Sequence, residues 1–164
     1  MIPGSPAQQV MDKPAILQAI IEQLRLDFEH RHNISRKTRA AGNDSESKAE
    51  NKYDTLSTEE NYLADGLARQ ALAAAQAATI LEKLSLEDFG PADPIDLGAL
   101  AQVEFPDRTR EWFLLAPAAG GTEVEHAGQT IVVLTPESPL GMAVMGRLAG
   151  DSIPQPKVRI ITVQ

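Results

Sequence analysis

Apolar residues recur with two different periods along this chain, and the change of period divides it. Ile16, Ile20, Leu24 and Phe28 stand four apart, with Leu17 and Ile21 widening the stripe on one side, which is the spacing of one face of an α-helix. Pro14 suits the opening turn of that helix, because its missing N–H would have had no partner there. Beyond Phe28 the apolar signal thins to Ile34. A second stripe, Leu63, Leu67, Ala71, Ala74, Ala78 and Leu81, advances in steps of four, four, three, four and three, the spacing of a narrow coiled-coil seam. Alanine on that seam lets a neighbouring helix come close. Each helix has a single stripe to hide and the connection is short, so the pattern predicts an antiparallel helical hairpin over 13–86. At about 28 residues and 1.5 Å rise, each arm is roughly 40 Å long.

The reversal belongs near 42–54. Gly42 and Asn43 are the kind of pair that ends a helix in a left-handed conformation. The charge changes sign there too: Arg31, Arg36, Lys37 and Arg39 lead into Asp44, Glu46, Glu50 and Asp54. Two capping boxes fit the start of the second helix, Ser47 with Glu50 or Ser57 with Glu60.

Residues 87–98 lose periodicity and carry proline and glycine, as a linker does. After them the period shortens to that of strands: LAQVEF, REWFLLA, TEVEH, QTIVVLT and the final KVRIITV. Between the last two, SPLGMAVMGRLAG reads as a short helix with Ser138 as N-cap and Pro139 at its first position. Residues 99–164 therefore form a small antiparallel α+β domain of about 65 residues, near the low end of independently stable size. The fold class is α+β, a helical hairpin followed by that domain. Residues 1–12 mix Pro, Gly, Ser and Gln without period and are expected to be loose.

Composition narrows the function classes. A chain of 164 residues holds one ordinary domain or two small ones. Having no cysteine, it can form neither a disulfide nor a thiolate metal site. A net charge of −8 argues against free nucleic acid as the principal partner, since phosphates reward clustered Lys and Arg. No apolar run approaches the roughly 20 residues of a membrane span, and the first residues lack the layout of a signal peptide, so a cytoplasmic protein is expected.

Few residues invite chemistry on their own. The acids Asp44, Glu46 and Glu50 read either as a solvated helix opening, where negative charge favours the dipole, or as a cation-presenting group, with Glu46 and Glu50 four apart on one helix face. The basic group reads as a solvated face, or as a surface steering the hairpin toward RNA or an acidic protein. His30, His32 and His126 are too scattered to be a ligand set. Ser138 has no neighbouring base and is explained by capping. Trp112 and Phe113 are adjacent on a strand, so one is expected in the core and the other exposed or at the domain junction.

The segment LTPESPLGMAVMGRLAGD, residues 134–151, resembles the C-terminal domain of the Gre-type (GreA/GreB family) bacterial transcription elongation factors, in which I-S-x-x-S-P-L-x-x-A-L-x-G-x-x-x-G-D precedes a terminal strand. The matching positions are Leu134, Thr135 (where the family has serine), Ser138, Pro139, Leu140, Ala143, Val144, Gly146, Gly150 and Asp151. The family layout, a helical hairpin before this domain, is matched as well. The resemblance implies an FKBP-like C-terminal domain that docks on the rim of the RNA polymerase secondary channel, through Thr135, Ser138, Pro139, Leu140, Gly146 and Asp151. It implies a hairpin reaching down the channel toward the RNA 3′ end, with Arg36, Lys37 and Arg39 among its contacts.

In cleaving members of that family a G-D-L-S-E-N-A-E-Y tip helps hold a polymerase Mg²⁺, which requires hard oxygen ligands. By resemblance, Asp44, Glu46 and Glu50 take that part here, and the protein has no active site, metal or cofactor of its own. The tip departs from the pattern. With Tyr53 laid on the family tyrosine, the aspartate falls on Glu46 and the first glutamate on Ala49; a one-residue slide recovers Glu50 and misplaces the tyrosine. Cleavage stimulation and non-cleaving channel occupancy both follow, with a monomer expected for either. Two readings from other classes are a peptidyl-prolyl isomerase with Phe105, Trp112 and Phe113 lining a proline pocket, and a helical adaptor dimerising through the alanine-rich seam.

Overall fold

The computed structural model describes residues 9–46 and 54–164. It contains two long helices, α1 (Lys13–Glu46) and α2 (Asp54–Leu81), then strands β1 (Leu100–Glu104), β2 (Arg110–Leu115), β3 (Glu123–His126) and β4 (Gln129–Leu134), the short helix α3 (Pro139–Val144), and strands β5 (Ser152–Pro154) and β6 (Lys157–Val163). The expected α+β class and element order are present. The chain divides into two compact units, one of Met1–Ile20 with Leu81–Gln164 and one of Ile21–Ile80.

Within the helical unit the pairing runs antiparallel. Contacts climb one helix as they descend the other: Arg31 meets Gln70, Ser35 donates to the Ala64 carbonyl at 2.7 Å, Arg39 meets Asp65, and Gly42 lies against Asn61. The buried and half-buried positions on α1 extend the predicted stripe past Phe28 through Arg31, Ser35, Thr38 and Gly42, alternating steps of three and four. The seam thus continues after its apolar residues run out.

Three expectations are corrected here. The helix does not stop at Gly42 and Asn43 but continues to Glu46. A β-carbon on Gly42 would stand 3.2 Å from Asn61 Oδ1, so this glycine serves the close approach of two helices rather than a left-handed turn. Ser57 lies inside α2 and is buried, so it is no N-cap; the alternative cap, Ser47, lies outside the described residues. On α2 the seam passes through Ala64, fully buried, and not Leu63, which is 57% exposed. Ser57, Ala64, Ala71 and Ala78, all buried, are seven apart, and Glu60 and Leu67 fall on the companion positions.

The other unit is built on a six-stranded sheet in the order β3-β4-β2-β1-β6-β5. Its pairs are antiparallel except β2 with β4, which run parallel and align Trp112 with Ile131 and Leu115 with Leu134. β5 was not expected: three residues carrying Pro154 give no readable alternation, and the strand exists through its pairing with β6. β3 and β4 join through Ala127 and Gly128, both at positive φ, as a two-residue hairpin of this hand requires.

One face of the sheet packs Ala101, Val103, Phe113, Leu115, Ile153, Val158 and Ile160 around Val144 of α3. The other face is covered as well. Trp112 and Phe113 are both buried, so neither is the exposed one of the pair. Strand alternation sends them to opposite faces, and Leu100, Leu114, Ile131 and Val133 on the Trp112 side are fully or almost fully buried. The same unit contributes the buried side chains Met11, Ile16, Leu17, Ile20 and Leu81.

Residues 87–98 are part of this unit rather than a free linker. Ile95 is 1% exposed, its N–H donates to the Arg147 carbonyl at 2.9 Å, and its carbonyl accepts from Gly146 at 2.8 Å. At the other end of the chain, the Met11 N–H donates to Gln164 Oε1 at 2.9 Å, so residues 9–12 are held although a loose segment was expected; residues 1–8 lie outside the described residues. Lys13 ties these pieces together. Its buried ammonium donates to the carbonyls of Glu87, Gly98 and Gln164, the latter two at 3.1 Å, and lies 4.9 Å from the centre of the Phe89 ring. Burial pushes its pKa down, against the pull of Asp88 and Glu87.

Candidate functional site

The motif residues of 134–151 form one continuous turn–helix–turn. The Thr135 carbonyl accepts from both the N–H and the hydroxyl of Ser138, at 3.1 and 2.8 Å. Ser138 Oγ in turn accepts from the Gly141 N–H at 3.0 Å, which is the expected N-cap, and Pro139 follows at the head of α3. Gly141, which the sequence reading left aside, is the pivot. A β-carbon there would stand 1.9 Å from the Thr135 carbonyl oxygen, so the helix can start this close to β4 only with glycine.

The helix stops after six residues. Gly146 takes φ +75° and hands the chain to Ile95. Gly150, at φ +92°, donates to the Ile160 carbonyl, while the Asp151 carboxylate accepts from the Leu148 N–H at 2.9 Å and so closes the last turn against β6. Leu140 and Ala143 pack on the core beside the buried Val144. The motif's glycines, serine and aspartate therefore act on the backbone. The side chains that the segment leaves outward include Glu137, Pro139 and Met142, the last 65% exposed, with Arg147 and Leu148 beyond.

The hairpin carries the other candidates. Arg36 and Lys37 are exposed on α1. Arg39 is committed to Asp65 at 2.5 Å, an ion pair half open to water on both sides, and Arg31 to Gln70. The basic group is thus two outward cations and two cations used between the helices. Asp44 and Glu46 are carried on the last turn of α1, but their side chains lie outside the described residues, as does Glu50 altogether. One acid that the tip reading did not single out is Glu60. It lies against Gly42 in the seam, and its Oε2 is buried with no hydrogen-bond partner among the described residues.

Among the described residues no group of three His, Cys, Asp or Glu is placed to hold a metal ion, and no helix is long and apolar enough to cross a membrane. Phe28 stacks on His32 with ring centres 5.4 Å apart. Phe105, Trp112 and Phe113 do not converge on one pocket, because the last two occupy opposite faces of the sheet. The alanine seam is already occupied by the chain's own α1.

No family model matches the chain, and no curated protein matches it. Among solved structures, the chain is similar to GreA factor homolog 1 (Gfh1) of Thermus thermophilus, at 18% identity over 90% of this chain and 94% of that one, with a TM-score of 0.35. A second structure, of the transcription factor Gfh1, aligns at 18% identity over 89% of this chain and 94% of that one, with a TM-score of 0.34.

Proposed function

We propose that the protein is a Gre-type regulator of transcription elongation that binds RNA polymerase at its secondary channel. The observation that carries this reading is the segment 134–151, whose serine, proline, glycines and aspartate follow the Gre pattern in a domain preceded by a helical hairpin. In this reading the β4–α3 turn with Pro139 and Met142 faces polymerase, and the hairpin enters the channel. The net charge of −8 suits a protein partner rather than free nucleic acid.

The chain supplies no reaction of its own. Asp44, Glu46 and Glu50 would help hold the polymerase's Mg²⁺, which would supply a hydroxide nucleophile and neutralise developing charge. Arg36 and Lys37 attract the RNA 3′ end. The tip register favours keeping a second reading beside this one, since Ala49 takes the place of a family acid when Tyr53 is aligned. In that reading the hairpin occupies the channel and slows elongation without promoting cleavage.

The test is RNA cleavage in stalled, backtracked elongation complexes with wild type, Glu46→Ala and Glu50→Ala, with polymerase binding measured in the same samples. Cleavage that rises with wild type and is lost in either variant at unchanged binding supports the cleavage factor. Intact binding with no added cleavage leaves the channel-occupying regulator. Absence of binding overturns both.

A further inference from the structure

At the end of the sheet where β1 passes into β2, a cleft of about 520 Å³ opens between the 105–109 turn and the β5–β6 hairpin. Its apolar lining is Phe105, Ile153, Pro154 and Val158. Its polar side is basic. Residues 99–164 contain five Lys and Arg, and four of them, Arg108, Arg110, Lys157 and Arg159, are on or beside this cleft, in a chain whose net charge is −8.

Glu104 organises these cations. Its side chain is only 10% exposed, and it accepts from Arg110 Nε at 2.9 Å and from Arg108 Nη1 at 3.4 Å. The hydrogen bond from Arg110, with the charges of Arg110, Arg108 and Arg159, holds its carboxyl below the usual range. One carboxylate cannot neutralise four cations. Asp107 adds a second negative charge, its carboxylate accepting from the N–H and hydroxyl of Thr109 at 3.0 and 2.6 Å, and the four cations still outnumber the two carboxylates. Arg108 remains 85% exposed and Arg110 51% exposed, so both guanidinium groups keep donors for something else.

We propose that this cleft binds an acidic peptide segment of a partner protein, with carboxylates on Arg108, Lys157 and Arg159 and an apolar side chain against Phe105 and Ile153. Arginine forks match carboxylates with paired hydrogen bonds, and an apolar floor beside them gives an anchor pocket. Nucleic acid fits less well. Phe105 alone offers no succession of stacking faces for bases. The site is separate from the β4–α3 turn: Thr135 follows the Leu115 end of the parallel β2–β4 pair and the cleft lies at the Arg110 end, about 17 Å away along a strand. The proposal therefore does not rest on the polymerase reading.

The test uses the full chain and a fluorescein-labelled peptide of alternating Glu and Leu, followed by fluorescence anisotropy. A peptide of alternating Lys and Leu and a single-stranded DNA oligonucleotide of matched charge serve as controls. Binding of the Glu/Leu peptide that weakens about tenfold or more in both Arg108→Glu and Lys157→Glu, and not in Arg147→Glu outside the cleft, is the expected result. Both cleft positions are exposed, and matching thermal melts of the variants check that they fold. No binding of the Glu/Leu peptide, equal binding of the Lys/Leu peptide, tighter binding of the oligonucleotide, or unchanged affinity in the two cleft variants overturns the proposal.

Discussion

The carbonyl oxygen of Thr135 occupies the space that a side chain on Gly141 would need: the missing β-carbon would stand 1.9 Å away, and 2.8 Å from Ser138 Oγ. One of these groups is backbone and the other is hydrogen-bonded to it, so neither can move aside without breaking the turn. Gly141→Ala is therefore expected to cost about 3 kcal/mol or more, far beyond the usual price of a methyl group. Ser138→Ala removes the cap and the hydroxyl's bond to the Thr135 carbonyl, which still accepts from the residue 138 N–H, and is expected to cost about 1 kcal/mol. Urea unfolding of both variants checks the ranking. A Gly141→Ala protein as stable as Ser138→Ala would mean that the turn is not packed as described.

Lys13 gives a second expectation. Replacing it with methionine keeps the aliphatic stem but removes a donor from the carbonyls of Glu87, Gly98 and Gln164, of which Gln164 still accepts from the Leu100 N–H. Relief of the buried charge offsets part of the loss, so a net destabilisation of roughly 2 kcal/mol is expected. Amide exchange gives the sharper readout. The Met11 N–H and the strands next to Gln164 are expected to lose protection before α3 does.

Glu104 makes a prediction about pH. Its folded pKa lies below the ordinary 4.5, so the unfolded chain binds the proton more readily. The stability it contributes is present above that ordinary value and is lost as pH falls through the lower, folded value. In thermal melts from about pH 7 to about pH 3, Glu104→Gln is expected to melt below wild type at neutral pH and to converge on it at the acid end. Parallel curves across the whole range would show that the arginines do not hold this carboxylate.

Glu60 runs the other way. A buried carboxylate oxygen with no partner among the described residues, at a position where the heptad calls for an apolar residue, weakens the seam it occupies. Glu60→Leu is expected to stabilise the helical unit by about 1 kcal/mol, with slower amide exchange around Ala64. Faster exchange there would mean that Glu60 is held by a partner outside the described residues.

Much of this was legible before any coordinates. The period change marked where helices give way to strands, and the Ser138 cap and Pro139 placed the start of α3, though not its end at Val144. The misreadings share one cause, that local chemistry was asked a tertiary question. Gly42 and Asn43 look like a stop, yet a neighbouring helix decided the matter. Leu63 outranks Ala64 in hydrophobicity, but the heptad set by Ala71 and Ala78 turns Leu63 outward. Lys13 and Glu104 carry no signal in sequence, because their partners are 85 and 6 residues away and arrive only with the sheet. The tip acids were nameable from the family pattern, while their side-chain geometry stays outside the described residues.

The order in which the ribosome delivers the chain bears differently on the two units. Residues of the helical unit, Ile21–Ile80, emerge as one uninterrupted stretch and can pair as soon as α2 is clear. The sheet unit is discontinuous: its first strand bonds to β6, and the amino-terminal Met11 and Lys13 wait for Gln164. During synthesis the hairpin is thus complete while Met11 and Lys13 still lack the partner that arrives with β6.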